Sequence, residues 1–193
     1  MRKIVLASKS KARRKLLKQT GLKFSVTKTN VIESRSQKGG ASRLVVRNAI
    51  LKARAAEAKF PKAIIIGADT VVMAKGKLIG KPKSLQDAEN TIRLLCQNPH
   101  WVYSGLAVID TESNKTYTAW DKTKVYMSHI DSRQIKNYCS KFRPFDKAGS
   151  FDIGGPGGMF VERIEGCFYN VVGLPLAKLV KILKVLDIDV FNL

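Results

Sequence analysis

Arg13, Lys52, Asp69 and Lys81 are the residues whose type and placement could do chemistry, and that chemistry is the handling of phosphate and a hard metal ion. In the stretch from Leu6 to Leu17, hydroxyls at Ser8 and Ser10 and free backbone donors stand at the start of a helix, where an anion is stabilised. At about 100° per residue, Arg13 lies in line with Leu16, Leu17 and Thr20, while Lys11, Lys15 and Lys18 lie opposite. The plainer reading makes Ser10 an ordinary cap and lets Arg13 snorkel past the core edge. Lys52 repeats the anomaly, projecting between Val45 and Ala56 instead of with Arg47 and Arg54. Unpaired burial of an ammonium is costly, so either a carboxylate inside the fold or a ligand phosphate should meet it.

Asp69 follows directly on the buried run of residues 63–68. At a strand's carboxyl end it could bind Mg²⁺ or orient water, or it could simply cap a turn. Gly80-Lys81-Pro82 sets a lysine between a flexible and a rigid residue, suited to a phosphate and equally to a plain turn. The glycine-dense residues 149–158 allow close backbone approach and could wall a base pocket. They match neither a Walker A loop nor a dinucleotide fingerprint. Two histidines, His100 and His129, exclude a multi-histidine metal site, so any metal is a hard cation held by oxygens, magnesium or manganese by default. Cys96, Cys139 and Cys167 are odd in number and far apart, which argues against disulfides and fits reduced cytoplasmic thiols.

These residues need a scaffold, and 193 residues with 45% hydrophobic content suffice for one sizeable core or two joined lobes. No apolar run approaches the roughly 18 residues of a membrane span, and the apolar residues 4–6 are too few for a signal peptide, so a soluble, unexported chain is expected. The pattern predicts strands at residues 4–6, 24–27, 63–68, 101–110, 116–128, 159–164 and 168–172. A hairpin follows Asp69 around Lys75-Gly76. Helices are expected over residues 10–20, 42–60, 84–96 and 132–140, with a last one striped by Leu176, Leu179, Val180, Leu183 and Leu186 that turns Lys178, Lys181 and Lys184 to water. Residues 28–40 form a polar loop. Such interleaving points to a single α/β unit over residues 1–193, with a mixed central sheet and flanking helices, in two lobes.

Taken in order, the segments LASKSKARRKLL (6–17), GADTVV (67–72), GKP (80–82), DKAGSFDI (146–153) and YNVVGLPL (169–176) closely resemble the Maf family. The resemblance implies a two-lobed α/β fold similar to that of inosine triphosphatase, and a nucleoside triphosphate pyrophosphatase that uses Mg²⁺ or Mn²⁺. It implies Asp69 as the catalytic aspartate, Ser8, Arg13, Lys52 and Lys81 as phosphate-binding residues, and Glu33 as a second acidic residue sharing a metal with Asp69. The subfamily resembling dTTP and UTP pyrophosphatases usually has a second arginine before Arg13, a threonine after the aspartate and a glutamine in the late glycine motif. Here those positions are Ala12, Thr70 and Gly154. The 7-methyl-GTP type carries Trp and Gln at the first two, absent here. Thr70 and Asp146-Lys147-Ala148-Gly149 lean toward the dTTP/UTP type, while the missing amide at Gly154 predicts a looser base preference.

The formal net charge of +20 motivates a rival from another class, a non-enzymatic RNA-binding protein. No RNA-binding motif supports it and the basic residues show little aromatic interleaving, so a nucleoside triphosphate, not a nucleic acid, is the expected partner. A sensor that binds nucleotide without turnover is a third reading, and a homodimer is compatible with all three.

Overall fold

The computed structural model describes residues 2–192. The chain runs β1 (Lys3–Ala7), α1 (Lys11–Lys18), β2 (Phe24–Thr27), α2 (Gly40–Arg54), β3 (Ala63–Ala74), β4 (Lys77–Ile79), α3 (Leu85–Gln97), β5 (His100–Asp110), β6 (Lys115–Met127), α4 (Ser132–Phe142), β7 (Val161–Glu165), α5 (Phe168–Val172) and α6 (Leu176–Val185). Single 3-10 turns lie at Glu57–Lys59, Ala148–Ser150 and Pro156–Phe160. The fold is α/β, with a mixed seven-stranded sheet in the order β2-β1-β3-β5-β6-β7 and β4 added to β3. β1 runs parallel to β2 and β3, whereas β4 and β7 pair antiparallel with β3 and β6.

The chain divides into two compact units. The first takes the chain up to Asp69, Ser104–Asp121 and everything from Gly173 onward. In it Val5, Ala7, Ile65, Ala107 and Ile109 of the strands pack with Ala49, Ala53 and Ala56. Ile4, Leu6, Ile64 and Ile66, on the alternate face, are buried as well. Burial on both faces is why β1 and the first half of β3 are continuous apolar runs, not alternating ones. The second unit comprises Thr70–Tyr103 and Lys122–Val172. There Val72, Ala74, Val102, Val125 and Met127 meet Ala88, Ile92 and Leu95 of α3 and Ile135, Tyr138 and Cys139 of α4.

Local chemistry accounts for the element boundaries. The Ser10 and Ser84 hydroxyls accept from the backbone N–H groups of Arg13 and Asp87 at 3.3 and 3.1 Å, capping α1 and α3. Lys75 and Gly76 have φ of 47° and 73°, the left-handed pair that a two-residue hairpin needs between β3 and β4. From Val45 to Ala53, α2 is held unusually close to the sheet. A Cβ on Gly67 would lie 2.3 Å from the Ala49 carbonyl oxygen and 2.9 Å from the Ala53 nitrogen, and one on Gly105 would lie 2.3 Å from the Val45 carbonyl carbon. On neighbouring strands β3 and β5, these glycines form a notch into which α2 settles backbone to backbone. Gly67→Ala should therefore cost about 2 kcal/mol through overpacking, read as a lower urea midpoint with an unchanged m-value. A variant as stable as the native chain would refute the tight contact.

Several expectations need correction. β3 is one strand through Asp69 to Ala74, so Asp69 lies within it and not at its end. The predicted strand 63–68 and the first arm of the hairpin after Asp69 are one continuous element, with Gly67 inside it. Residues 42–60 are not one helix, because α2 stops at Arg54 and a separate 3-10 turn follows. Residues 168–172 form a helical turn. Asn170 and Val171 are consecutive and both buried while Phe168 and Tyr169 are exposed, a pattern that an alternating strand cannot supply. The Asn170 amide donates to the Val102 carbonyl at 3.0 Å and the Thr123 hydroxyl at 2.9 Å, which anchors that turn. Met159 and Phe160 belong to a 3-10 turn ahead of β7. In α6, Lys178 is half-buried while Lys181 and Lys184 are exposed.

Candidate active site

Helix α2 and strand β3 bring together the charged group at the centre of the first unit. Lys52 Nζ lies 2.6 Å from Asp69 Oδ1 and 3.0 Å from Glu33 Oε1. Asp69 and Lys52 are only 3% and 8% exposed, whereas about half of the Glu33 side chain reaches solvent. The lysine on the apolar face of α2 thus meets carboxylates of the fold. The notch explains the register: Gly67 touches Ala49 and Ala53, so the residues just before them, Asn48 and Lys52, are carried to Asp69, two positions along the same face of β3.

Asn48 is the residue that sequence reasoning missed. Its amide nitrogen donates to Asp69 Oδ2 at 3.0 Å and to the Ser34 carbonyl at 3.1 Å, and its amide oxygen accepts from the Ser34 N–H at 2.9 Å. One buried side chain therefore pins the polar loop of residues 28–39 to the strand and sets Glu33 beside Lys52. The available signal was its place one helical turn before Lys52 on the same face. Lys52 on Oδ1 and Asn48 on Oδ2 give both oxygens of Asp69 a protein donor.

Arg13 is half-buried on α1, and its Nε donates to the carbonyl of Gly173 at 2.8 Å. Burial pulls its guanidinium below the usual arginine range, opposed by the fields of Asp69 and then Glu33. That opposition puts Arg13 within electrostatic reach of both carboxylates, while the guanidinium keeps its charge at any working pH. Ser8 is buried before α1, with its hydroxyl accepting from the Ser10 N–H at 3.2 Å. Ala12, in the first turn, is half-buried.

The remaining expected residues belong to the second unit. Thr70 is half-buried in β3, and Lys81 is exposed after β4. Gly154 is exposed, with its N–H donating to Asp152 Oδ1 at 3.1 Å, and Asp152 also meets Lys147 Nζ at 3.4 Å. The Asp152 carboxylate beside Gly154 is thus already engaged. All three cysteines are free, and burial pushes the Cys96 and Cys139 thiols up to about 11, so neither is a thiolate at neutral pH. Burial pulls His100 down to about 4, and its neutral ring stands edge-on to Phe151 at 5.6 Å.

A buried lysine between an aspartate and a glutamate, with an arginine reaching the same field, suits a polyanion and a hard cation together. Residues 3–186 match the family described as Maf-like protein. The chain belongs to the Maf family. Curated relatives named dTTP/UTP pyrophosphatase include that of Clostridium perfringens, 43% identical over 97% of this chain and 99% of its own. That of Bacillus cereus is 40% identical over 98% of both chains, and that of Dictyoglomus thermophilum 41% identical over 95% of both. Among solved structures, the Staphylococcus aureus Ham1 protein aligns with a TM-score of 0.48 and 18% identity over 65% of this Maf-family chain and 72% of its own. No helix among the described residues is long and apolar enough to cross a membrane.

Proposed function

We propose that the chain hydrolyses nucleoside triphosphates, dTTP and UTP foremost, to a nucleoside monophosphate and pyrophosphate, with water attacking the α-phosphorus. The observation that carries this reading is the buried Lys52, Asp69 and Glu33 cluster, in a Maf-family chain about 40% identical along nearly its whole length to dTTP/UTP pyrophosphatases. Lys52 and Arg13 hold phosphate oxygens and neutralise charge as pyrophosphate leaves, and Ser8 adds a phosphate contact. Asp69 orients the attacking water and accepts its proton on whichever oxygen faces it.

The donor set also fits Mg²⁺ or Mn²⁺. No group of three or more His, Cys, Asp or Glu able to hold a metal occurs among the described residues. Two carboxylates completed by substrate phosphates are what such an ion takes, and Glu33 and Asp69 would hold it. When bound, the ion supplies charge neutralisation on the triphosphate.

Incubation with dTTP, UTP, CTP, GTP and 7-methyl-GTP, with Mg²⁺ or Mn²⁺, tests the reaction. Monophosphate and pyrophosphate are expected. Orthophosphate with a diphosphate would refute it, and binding without product would make the chain a sensor.

Gly154 bears on the base. A Cβ there would meet Asp152 Oδ1 and Val172 Cγ2 only at 3.6 Å, ordinary contact for the first carbon of a side chain. The native chain should separate dTTP and UTP from CTP weakly, and Gly154→Gln should sharpen the ratio of kcat/KM by about tenfold, the worth of one well-made hydrogen bond. A selective native enzyme whose selectivity the substitution leaves alone would show that this position does not read the base.

A further inference from the structure

We propose that the outward face of α2 is a docking groove for single-stranded nucleic acid, separate from the triphosphate-hydrolysing cluster on its inward face. The groove lies within the first unit and encloses about 500 Å³. Val46, Ile50 and Trp120 of β6 line it, Trp120 being 44% exposed, and Arg43, Arg47 and Arg54 contribute cations with no carboxylate among the lining residues, Arg47 also donating to the Ser36 carbonyl at 2.9 Å. At positions i, i+4 and i+11 the three arginines share one face of the helix and span about 16 Å along its axis.

That span decides the class of ligand. A nucleoside monophosphate brings one phosphate to three guanidiniums spread over such a length, whereas a strand passes phosphates along it while a base meets the indole of Trp120. Together these make the cationic track and aromatic platform that bind single strands without regard to sequence. A second copy of the chain is a poor occupant, because a two-fold contact sets the arginines of one copy against those of the other on proteins of net charge +20. An acidic peptide satisfies the arginines but offers the indole no stacking partner. The reading also gives part of the +20 charge a location that the triphosphate cluster does not require.

The test is fluorescence anisotropy of a labelled twelve-residue oligouridylate with the full chain at 50 and 200 mM NaCl. Three phosphate contacts on a single strand predict a salt slope of about 2, hence roughly a twentyfold rise in Kd across that range. The double variant Arg43→Gln/Arg54→Gln should bind at least tenfold more weakly with a slope of about 1, and Trp120→Ala at least fivefold more weakly. Lys181→Gln/Lys184→Gln on α6, which removes the same charge elsewhere, should bind like the native chain. Triphosphate hydrolysis should be unaffected in the Arg43/Arg54 variant, so a failure of this proposal is distinguishable from a failure of the catalytic one. Equal weakening by the α6 control would reduce the interaction to net charge and overturn the groove. So would displacement of the oligonucleotide by micromolar UMP, stronger binding of polyglutamate, or a dimer in sedimentation that the Arg43/Arg54 variant dissociates.

Discussion

Asp69→Asn should lower turnover by roughly 10³-fold, about 4 kcal/mol in the barrier, while the chain stays folded. The substitution keeps the shape of the side chain and removes its charge, so the attacking water loses its proton acceptor and a cation loses its most buried ligand. The fold survives because Lys52 does not become an unpaired buried cation: Glu33 remains 3.0 Å away. Pyrophosphate release under saturating dTTP, read beside the thermal midpoint, separates chemistry from folding. Turnover within tenfold of the native value would remove Asp69 from the reaction.

Lys52→Ala carries the second large effect, and there stability and activity fall together. Asp69 would be left almost completely buried with the Asn48 amide as its remaining side-chain hydrogen-bond donor. Breaking one side of a buried pair costs about 3–5 kcal/mol, because the survivor keeps its charge without compensation. For a chain of this length that lowers the thermal midpoint by about 10 °C. Lys52→Met/Asp69→Leu removes both charges and should recover most of that stability without recovering any hydrolysis. If Lys52→Ala melts with the native chain, the pair is not the internal support inferred from its geometry.

What was legible in the sequence was whatever a single element expresses by itself. Arg13 and Lys52 stood out because each helix has one apolar face and they interrupt it. Ser10, Ser84 and the Lys75-Gly76 turn declared themselves through hydrogen bonds and backbone angles that span a few residues. Asn48 did not, since an uncharged amide on an apolar face attracts less notice than an ammonium, and its partners Ser34 and Asp69 lie 14 and 21 residues away. Glu33 came only from the family resemblance, because its position follows from where Asn48 pins the loop. The role of Gly67 went unread because local propensity cannot see a helix arriving from elsewhere in the chain. Residues 168–172 misled in the same way: aromatic and β-branched side chains favour a strand until Val102 and Thr123 claim the Asn170 amide.

The glycine notch under α2 has a consequence for how the site responds when charge moves. Side chains packed against one another can hop between rotamers and absorb a displacement, but backbone atoms in direct contact at Gly67 and Gly105 have no such soft coordinate. The ammonium of Lys52 and the amide of Asn48 are therefore aimed at Asp69 before any substrate arrives, so the carboxylate is already held in place for the water it orients. A carboxylate anchored in this way needs little reorganisation as it takes the proton of the attacking water.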